Sequence, residues 1–146
     1  MNEELDKKLC ETYPKIFRDR HADKRMTCMC WGFSCGDGWY NLIDTLCSSL
    51  QWDTDKNDYP QVIADQVKEK FGELRFHYHT ERGDVSVDVF SYDARKRGII
   101  EGKIDFACHM SGNICEECGS TNNVKNEPLN GWYKTLCEGC KETSPK

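Results

Sequence analysis

No apolar leader opens this 146-residue chain: Met1-Asn2-Glu3-Glu4-Leu5-Asp6-Lys7-Lys8 is polar and charged, which argues against a secretory signal. No later stretch is apolar enough to span a bilayer, so no membrane partner is expected. Positive charge is also short, with 20 Lys and Arg against 25 Asp and Glu and a formal net charge of −5. An acidic chain is a poor general-purpose nucleic-acid binder, because that affinity rests on Lys and Arg displacing counterions from phosphate. The sequence has no phosphate-binding glycine loop, no nucleophile elbow and no low-complexity tract. All four histidines, His21, His77, His79 and His109, precede the C-terminal cysteine pairs, whereas a ββα-metal nuclease needs them after or between such pairs. Enzymatic activity is left open by these absences and is the less favoured expectation.

What the chain does have is cysteine, ten residues of it. In the reducing cytoplasm where the chain is expected to reside, that number argues for metal ligation and buried thiols over a disulfide framework. Cys115-Glu116-Glu117-Cys118 and Cys137-Glu138-Gly139-Cys140 are two Cys-x-x-Cys pairs joined by a hairpin-sized interval. Each pair can turn its backbone so that both sulfurs face one tetrahedral centre, and together Cys115, Cys118, Cys137 and Cys140 complete a four-thiolate shell. Zinc is the expected ion, although iron takes the same donors, and oxidised or scattered thiols are the alternative. Gly119 and Gly139 stand where a tight turn calls for positive φ or for amides aimed at sulfur. Four thiolates leave no open position for water or substrate, so the ion is expected to be structural. Four thiolates (−4) and a divalent ion (+2) bring the net charge to −7.

The expected architecture is α+β, with helices packed on a short antiparallel sheet over 1–110 and a zinc ribbon over 111–146. Ile114, Val124, Leu129, Trp132, Tyr133 and Leu136 are its candidate core, too small to order the segment without the metal. Upstream, Leu5, Leu9 and Tyr13 predict a helix over 3–12, with a further turn at Pro14. Arg18 to Arg25 reads as a solvated connection. Asp37 is placed to cap a helix carrying Trp39, Leu42, Ile43, Leu46, Cys47 and Leu50, and Gln51 to Pro60 as a polar loop. Ile63, Val67, Phe71 and Leu74 predict a helix over 61–70 that stops at Gly72, with a strand as the alternative. From Glu73 the period becomes two: Leu74, Phe76 and Tyr78 on one face, Arg75, His77 and His79 on the other. Val85, Val87 and Val89 read as its hairpin partner. Ile99, Ile100, Ile104, Ala107, Cys108 and Ser111 predict a last helix.

Weaker constellations remain. Cys28, Cys30 and Cys35 can take a second metal with His21 or Cys47, against free thiols as the plainer reading. His77 and His79 can do acid–base work with Asp84 or Asp88, against a solvated sheet face. His79-Thr80-Glu81 followed by Cys115-x-x-Cys118 matches part of a zinc deaminase pattern. The context is wrong for that pattern, since no proline precedes Cys115 and two further cysteines compete for the metal.

Tyr13-Pro14-Lys15-Ile16-Phe17, Phe33-Ser34-Cys35-Gly36-Asp37-Gly38-Trp39, Gln66 through Phe76, Ser111 through Gly119 and Gly131 through Cys140 resemble, in order, a family of small uncharacterised zinc-ribbon proteins encoded by bacteriophages and prophages. The resemblance implies a bacterial host cytoplasm and no assigned activity. The expected function is that of an interaction protein that binds a host or phage macromolecule, in host takeover or in blocking a bacterial defence system. Trp31, Trp39, Trp132 and Tyr133 are its candidate anchors, with core filling the expected role of Trp39 and Trp132. Two alternatives stand beside it, a zinc-dependent hydrolase or deaminase and a nucleic-acid-binding ribbon. From 111 to 146 there are four lysines against five acids, so nucleic acid is expected to bind through Arg95, Lys96, Arg97 and Lys103 instead.

Overall fold

Chain order in the computed structural model, which describes residues 1–81 and 92–144, is α1 (Glu3–Thr12), β1 (Phe33–Ser34), α2 (Tyr40–Asn57), β2 (Val62–Lys70), β3 (Glu73–Thr80), α3 (Tyr92–Ser111), β4 (Val124–Leu129), β5 (Trp132–Cys137) and α4 (Glu138–Thr143). Short 3₁₀ turns at Arg18–His21, Cys28–Trp31 and Asp37–Trp39 fill the early connections. The fold is α+β, but its larger sheet is mixed: β1 runs parallel to β2, and β2 runs antiparallel to β3. The smaller sheet is the antiparallel pair of β4 and β5. The proposed strand at Val85, Val87 and Val89 lies outside the described residues.

Val62–Lys70 is a strand, where a helix over 61–70 is the first expectation. Val62, Ile63 and Ala64 are all buried, which a strand covered on both faces allows and an amphipathic helix does not. Helical steps of four are also even, so Ile63 and Val67 satisfy either period; β-branched residues and a partner strand decide for the sheet. A bulge between Ala64 and Gln66 offsets the register. Phe71 (φ 57°) and Gly72 (φ 77°) then make a two-residue turn with both central residues left-handed, the hairpin geometry that suits strand twist. Gly72 is therefore a hairpin residue and not a helix cap. The Gly72 amide donates to Glu69 Oε1 at 2.6 Å.

Helix α2 runs to Asn57, so Gln51 to Asn57 is helical where a loop was expected. Polar residues on the solvent side do not break a helix, and Leu50 and Asp53 still face inward. Lys103 of α3 bonds to Asp53 and to Ser49 Oγ, joining the two helices. The left-handed Asp58 (φ 54°) ends α2. Asp37 does not cap this helix; its carboxylate accepts the Asn2 amide and Asn2 Nδ2, each at 2.7 Å. Asn2 in turn caps α1, accepting the Leu5 amide at 2.9 Å.

One core unites these elements. Leu9, Ile16, Phe17, Phe33, Trp39, Ile43, Leu50, Val67, Leu74, Phe76, Ile100 and Ile104 belong to a single buried cluster, with the Phe17 and Phe33 rings edge to face at 4.9 Å. Within the charged run from Arg18 to Arg25, Arg20 departs from the expected solvated role. Its Nε and Nη2 donate to the two carboxylate oxygens of Asp6 at 2.9 Å, and Nη1 donates to the Cys30 carbonyl at 2.9 Å. The guanidinium thus ties α1 to the Cys28–Trp31 turn. Arg20→Ala leaves the mostly buried Asp6 carboxylate unpaired and is expected to cost about 2 kcal/mol in urea unfolding. Arg20→Lys is expected to recover only part, because an ammonium cannot make the two-pronged contact.

Candidate metal centre

Cys115 follows directly on the turn that ends α3, and the first pair forms a closed loop. The Gly119 amide donates to the Cys115 carbonyl and the Cys115 amide to the Ser120 carbonyl, both at 2.8 Å. Gly119 is left-handed, with φ 76°, which the loop requires and a residue with Cβ resists. The second pair is built differently. Cys137 ends β5 and precedes the first residue of α4, and Cys140 lies within that helix. Gly139 is therefore helical and has no left-handed turn to make.

These two supports bring the four sulfurs of Cys115, Cys118, Cys137 and Cys140 within 4.8 Å of one another. Cys118 Sγ and Cys137 Sγ are 3.6 Å apart, and all four cysteines are free thiols. A tetrahedral thiolate shell with metal–sulfur bonds of about 2.3 Å has sulfur–sulfur edges near ~3.8 Å, so the donors fit one ion. Among the described residues this is the one group of His, Cys, Asp and Glu side chains placed to share a metal.

The electrostatics of the cluster ask for a cation. Burial opposes ionisation of Cys115, yet the amides of Cys137, Cys118 and Glu117 pointing at its sulfur outweigh it and bring the thiol down to about 7. Cys140 is pushed up, first by its hydrogen bond with Cys118 and then by burial and the neighbouring thiols. A divalent ion lets all four ionise and releases protons as it binds.

The first loop also carries the joint to the rest of the chain. The Gly38 amide donates to the Glu116 carbonyl at 2.7 Å, the Gly36 amide to Glu116 Oε1 at 3.0 Å, and Trp39 Nε1 to the Ile114 carbonyl at 2.9 Å. A Cβ on Gly38 would lie 2.2 Å from the Cys115 carbonyl oxygen and 2.4 Å from the Gly119 nitrogen. One on Gly36 would lie 2.3 Å from the Glu116 carbonyl oxygen. Backbone atoms cannot yield to such contacts, so both positions need glycine. On the opposite side the Glu116 amide donates to the Thr135 carbonyl at 2.9 Å, and Thr135 Oγ1 donates to the Gly72 carbonyl. Asn126 Nδ2 donates to the Phe71 carbonyl at 3.0 Å, and Ser111 Oγ accepts the Leu74 amide at 2.8 Å. Glu116 itself is 3% exposed; burial pushes its carboxyl up, against the pull of Lys134. Its Oε2 has no hydrogen-bond partner, with Lys134 Nζ 3.9 Å away. Sequence reasoning misses this joint: Gly36-Asp37-Gly38-Trp39 reads there as a helix start and as part of the family resemblance, with nothing to link it to the cysteine loop.

Other sequence candidates are dispersed. Cys28 is exposed, Cys30 bonds to the Thr27 carbonyl at 3.2 Å, and Cys35 and Cys47 are buried; with His21 they form no metal-sized group. His77 and His79 are exposed, and His79 Nδ1 lies 2.8 Å from Asp65 Oδ1. Glu81 of the deaminase-like triplet pairs with Arg18, and none of that triplet joins the sulfur cluster. Of the four cations proposed for nucleic acid, Lys96 is 2% exposed and bonds to the Asp58 carbonyl beneath the Tyr59 ring. Lys103 pairs with Asp53. Within the ribbon, Leu136 is buried as expected, but Trp132 is 76% exposed and Tyr133 50%. Both were expected in its core, and the two-stranded sheet is too narrow to cover them.

Comparison of the chain with protein-family models, with curated proteins and with solved structures finds no match.

Gly38→Ala is expected to destabilise the protein by about 3 kcal/mol or more, since neither backbone can give way. Gly102→Ala, in open space on the exposed side of α3, is expected to stabilise by about 0.5–1 kcal/mol. Thermal unfolding of the two variants side by side checks both. Chelation of the metal is expected to disturb the amide NMR signals of Gly36 and Gly38 along with those of residues 115–120, leaving those of β2 and β3 away from the turn in place.

Proposed function

We propose that the protein is a zinc-structured interaction protein: one Zn²⁺ held by Cys115, Cys118, Cys137 and Cys140 shapes the C-terminal ribbon, and the ribbon presents an apolar tip to a macromolecular partner. When bound, the ion supplies a rigid tetrahedral link between β5 and the first cysteine loop. Cys115 and Cys118 orient that loop, backbone amides stabilise the sulfur charge, and the four thiolates leave no place on the metal for water. The observation that carries the reading is the exposure of Trp132 at 76% and Tyr133 at 50% beside a fully thiolate-lined cluster. Trp31, Trp52 and Phe71 are also exposed, but each has a lysine over its ring at 5.5–5.9 Å. Phe106 on α3 is exposed as well but stands singly, whereas Trp132 and Tyr133 adjoin each other on β5, and large aromatics of this kind are what anchors an interface.

The partner proposed is a host or phage protein in a bacterial cytoplasm, as in host takeover or the blocking of a defence system. The support for that setting is the resemblance to phage-encoded proteins. No helix among the described residues is long and apolar enough to cross a membrane. The nucleic-acid reading loses support from the burial of Lys96 and the pairing of Lys103.

Elemental analysis of purified protein is expected to give one zinc per chain, and Cys137→Ser to lose it together with protease resistance of the ribbon. Trp132→Ala with Tyr133→Ala is expected to keep zinc and the thermal unfolding midpoint while weakening binding to the purified partner at least ~100-fold, as loss of central aromatic anchors does. Equal affinity of the variant and the parent protein would remove the tip from the interface. A complex that dissolves on nuclease treatment would favour nucleic acid.

A further inference from the structure

The four sulfurs of the cluster are not equivalent. Cys115 is fully buried in a loop closed by the Gly119 amide on its carbonyl and by its own amide on the Ser120 carbonyl. Cys118 is exposed and Cys137 half-buried, and their sulfurs are the pair at 3.6 Å. An oxidant arriving from solvent therefore meets Cys118 first, with a second sulfur already in reach of it. Glu116, whose carbonyl and carboxylate receive the Gly38 and Gly36 amides, sits between Cys115 and Cys118 in the same loop. Loss of the ion thus acts directly on the joint between ribbon and core.

We propose that the cluster is an oxidation-released clasp, in which peroxide joins Cys118 to Cys137, expels the metal and frees the ribbon from Gly36 and Gly38. The inference rests on the cluster holding zinc. The Cys118 thiolate attacks one peroxide oxygen, breaking the O–O bond; a sulfenic acid forms and hydroxide leaves, taking up a proton to become water. The Cys137 thiolate then attacks that sulfur, and a second hydroxide leaves and is likewise protonated. In sum, two thiolates, one H₂O₂ and two protons give one disulfide and two waters, and the two electrons come from sulfur. Cys115 and Cys140 remain as two ligands, too few to hold the ion in place. A dithiol reductant reverses the exchange by attack on the disulfide, and the ion can return.

The test uses the full-length zinc-loaded chain in a Cys28→Ser background, which removes an exposed thiol outside the cluster. Zinc content is measured first, and then hydrogen peroxide is added with a metallochromic indicator. The expected result is one zinc released per disulfide, a Cys118–Cys137 link in peptide mapping, Cys115 and Cys140 still open to alkylation, and zinc taken up again after dithiothreitol. Protease cleavage within 111–144 is expected to appear with release and to vanish on reduction. Cys137→His keeps four metal ligands but lacks the second sulfur, and its zinc release is expected to slow at least ~10-fold with sulfenic acid trapped at Cys118. Zinc present but retained under peroxide, or a disulfide through Cys115, would overturn the clasp alone. A purified chain without zinc would overturn both the clasp and the metal assignment beneath it.

Discussion

Two glycine amides bonded to one glutamate hold this protein together across its length. Gly36 and Gly38 lie in van der Waals contact with the loop between Cys115 and Cys118, and any side chain at either position would occupy space filled by that loop's backbone. The loop keeps its shape because Gly119 is left-handed and because its sulfurs converge with those of Cys137 and Cys140. The placement of the four sulfurs, a local matter, is therefore tied to the start of α2 through backbone hydrogen bonds. The ribbon is joined to the larger sheet as well, by Thr135 and Asn126 on the Phe71–Gly72 turn and Ser111 on Leu74. The boundary drawn between residues 110 and 111 is thus crossed by hydrogen bonds on two sides.

Such an arrangement explains why so small a ribbon can leave its largest aromatics in solvent. With Leu136 as its main buried apolar side chain and Trp132 and Tyr133 exposed, the two-stranded sheet has little core of its own. Its order comes from the sulfur cluster below and from docking on Trp39, Gly36 and Gly72. The aromatic rings at its tip stand in solvent and add little to its packing. The buried Glu116 has the opposite character. It costs desolvation, which its single hydrogen bond from Gly36 and the distant Lys134 only partly offset, and it serves to position the loop against the core.

Several features were legible beforehand because they are local. The two Cys-x-x-Cys pairs name their own geometry, since the spacing between sulfurs is set by a few covalent bonds. Helices at 3–12 and near 99–111 and the strand from Glu73 followed from periodicity in runs with a polar face. The strand at 62–70 was read first as a helix because its apolar steps of four fit both periods. Pairing with β1 and β3 satisfied its two edges, and burial on both faces was decided by core residues from α1, α2 and α3, which share no single window with it. Gln51 to Asn57 misled for the reverse reason, as a helix that faces solvent carries no apolar signal.

The sequence alone determined the four-cysteine set, the order of the principal helices and the acidic character of the chain, because each depends on residue identity or on neighbours within a few positions. Tertiary structure alone decided that Gly36 and Gly38 receive the cysteine loop, that Cys28, Cys30 and Cys35 stay apart, that Lys96 is buried and that Trp132 is not. Those outcomes depend on which distant surfaces meet, and contact between segments some eighty residues apart, such as Gly36 and Glu116, leaves no mark on local pattern.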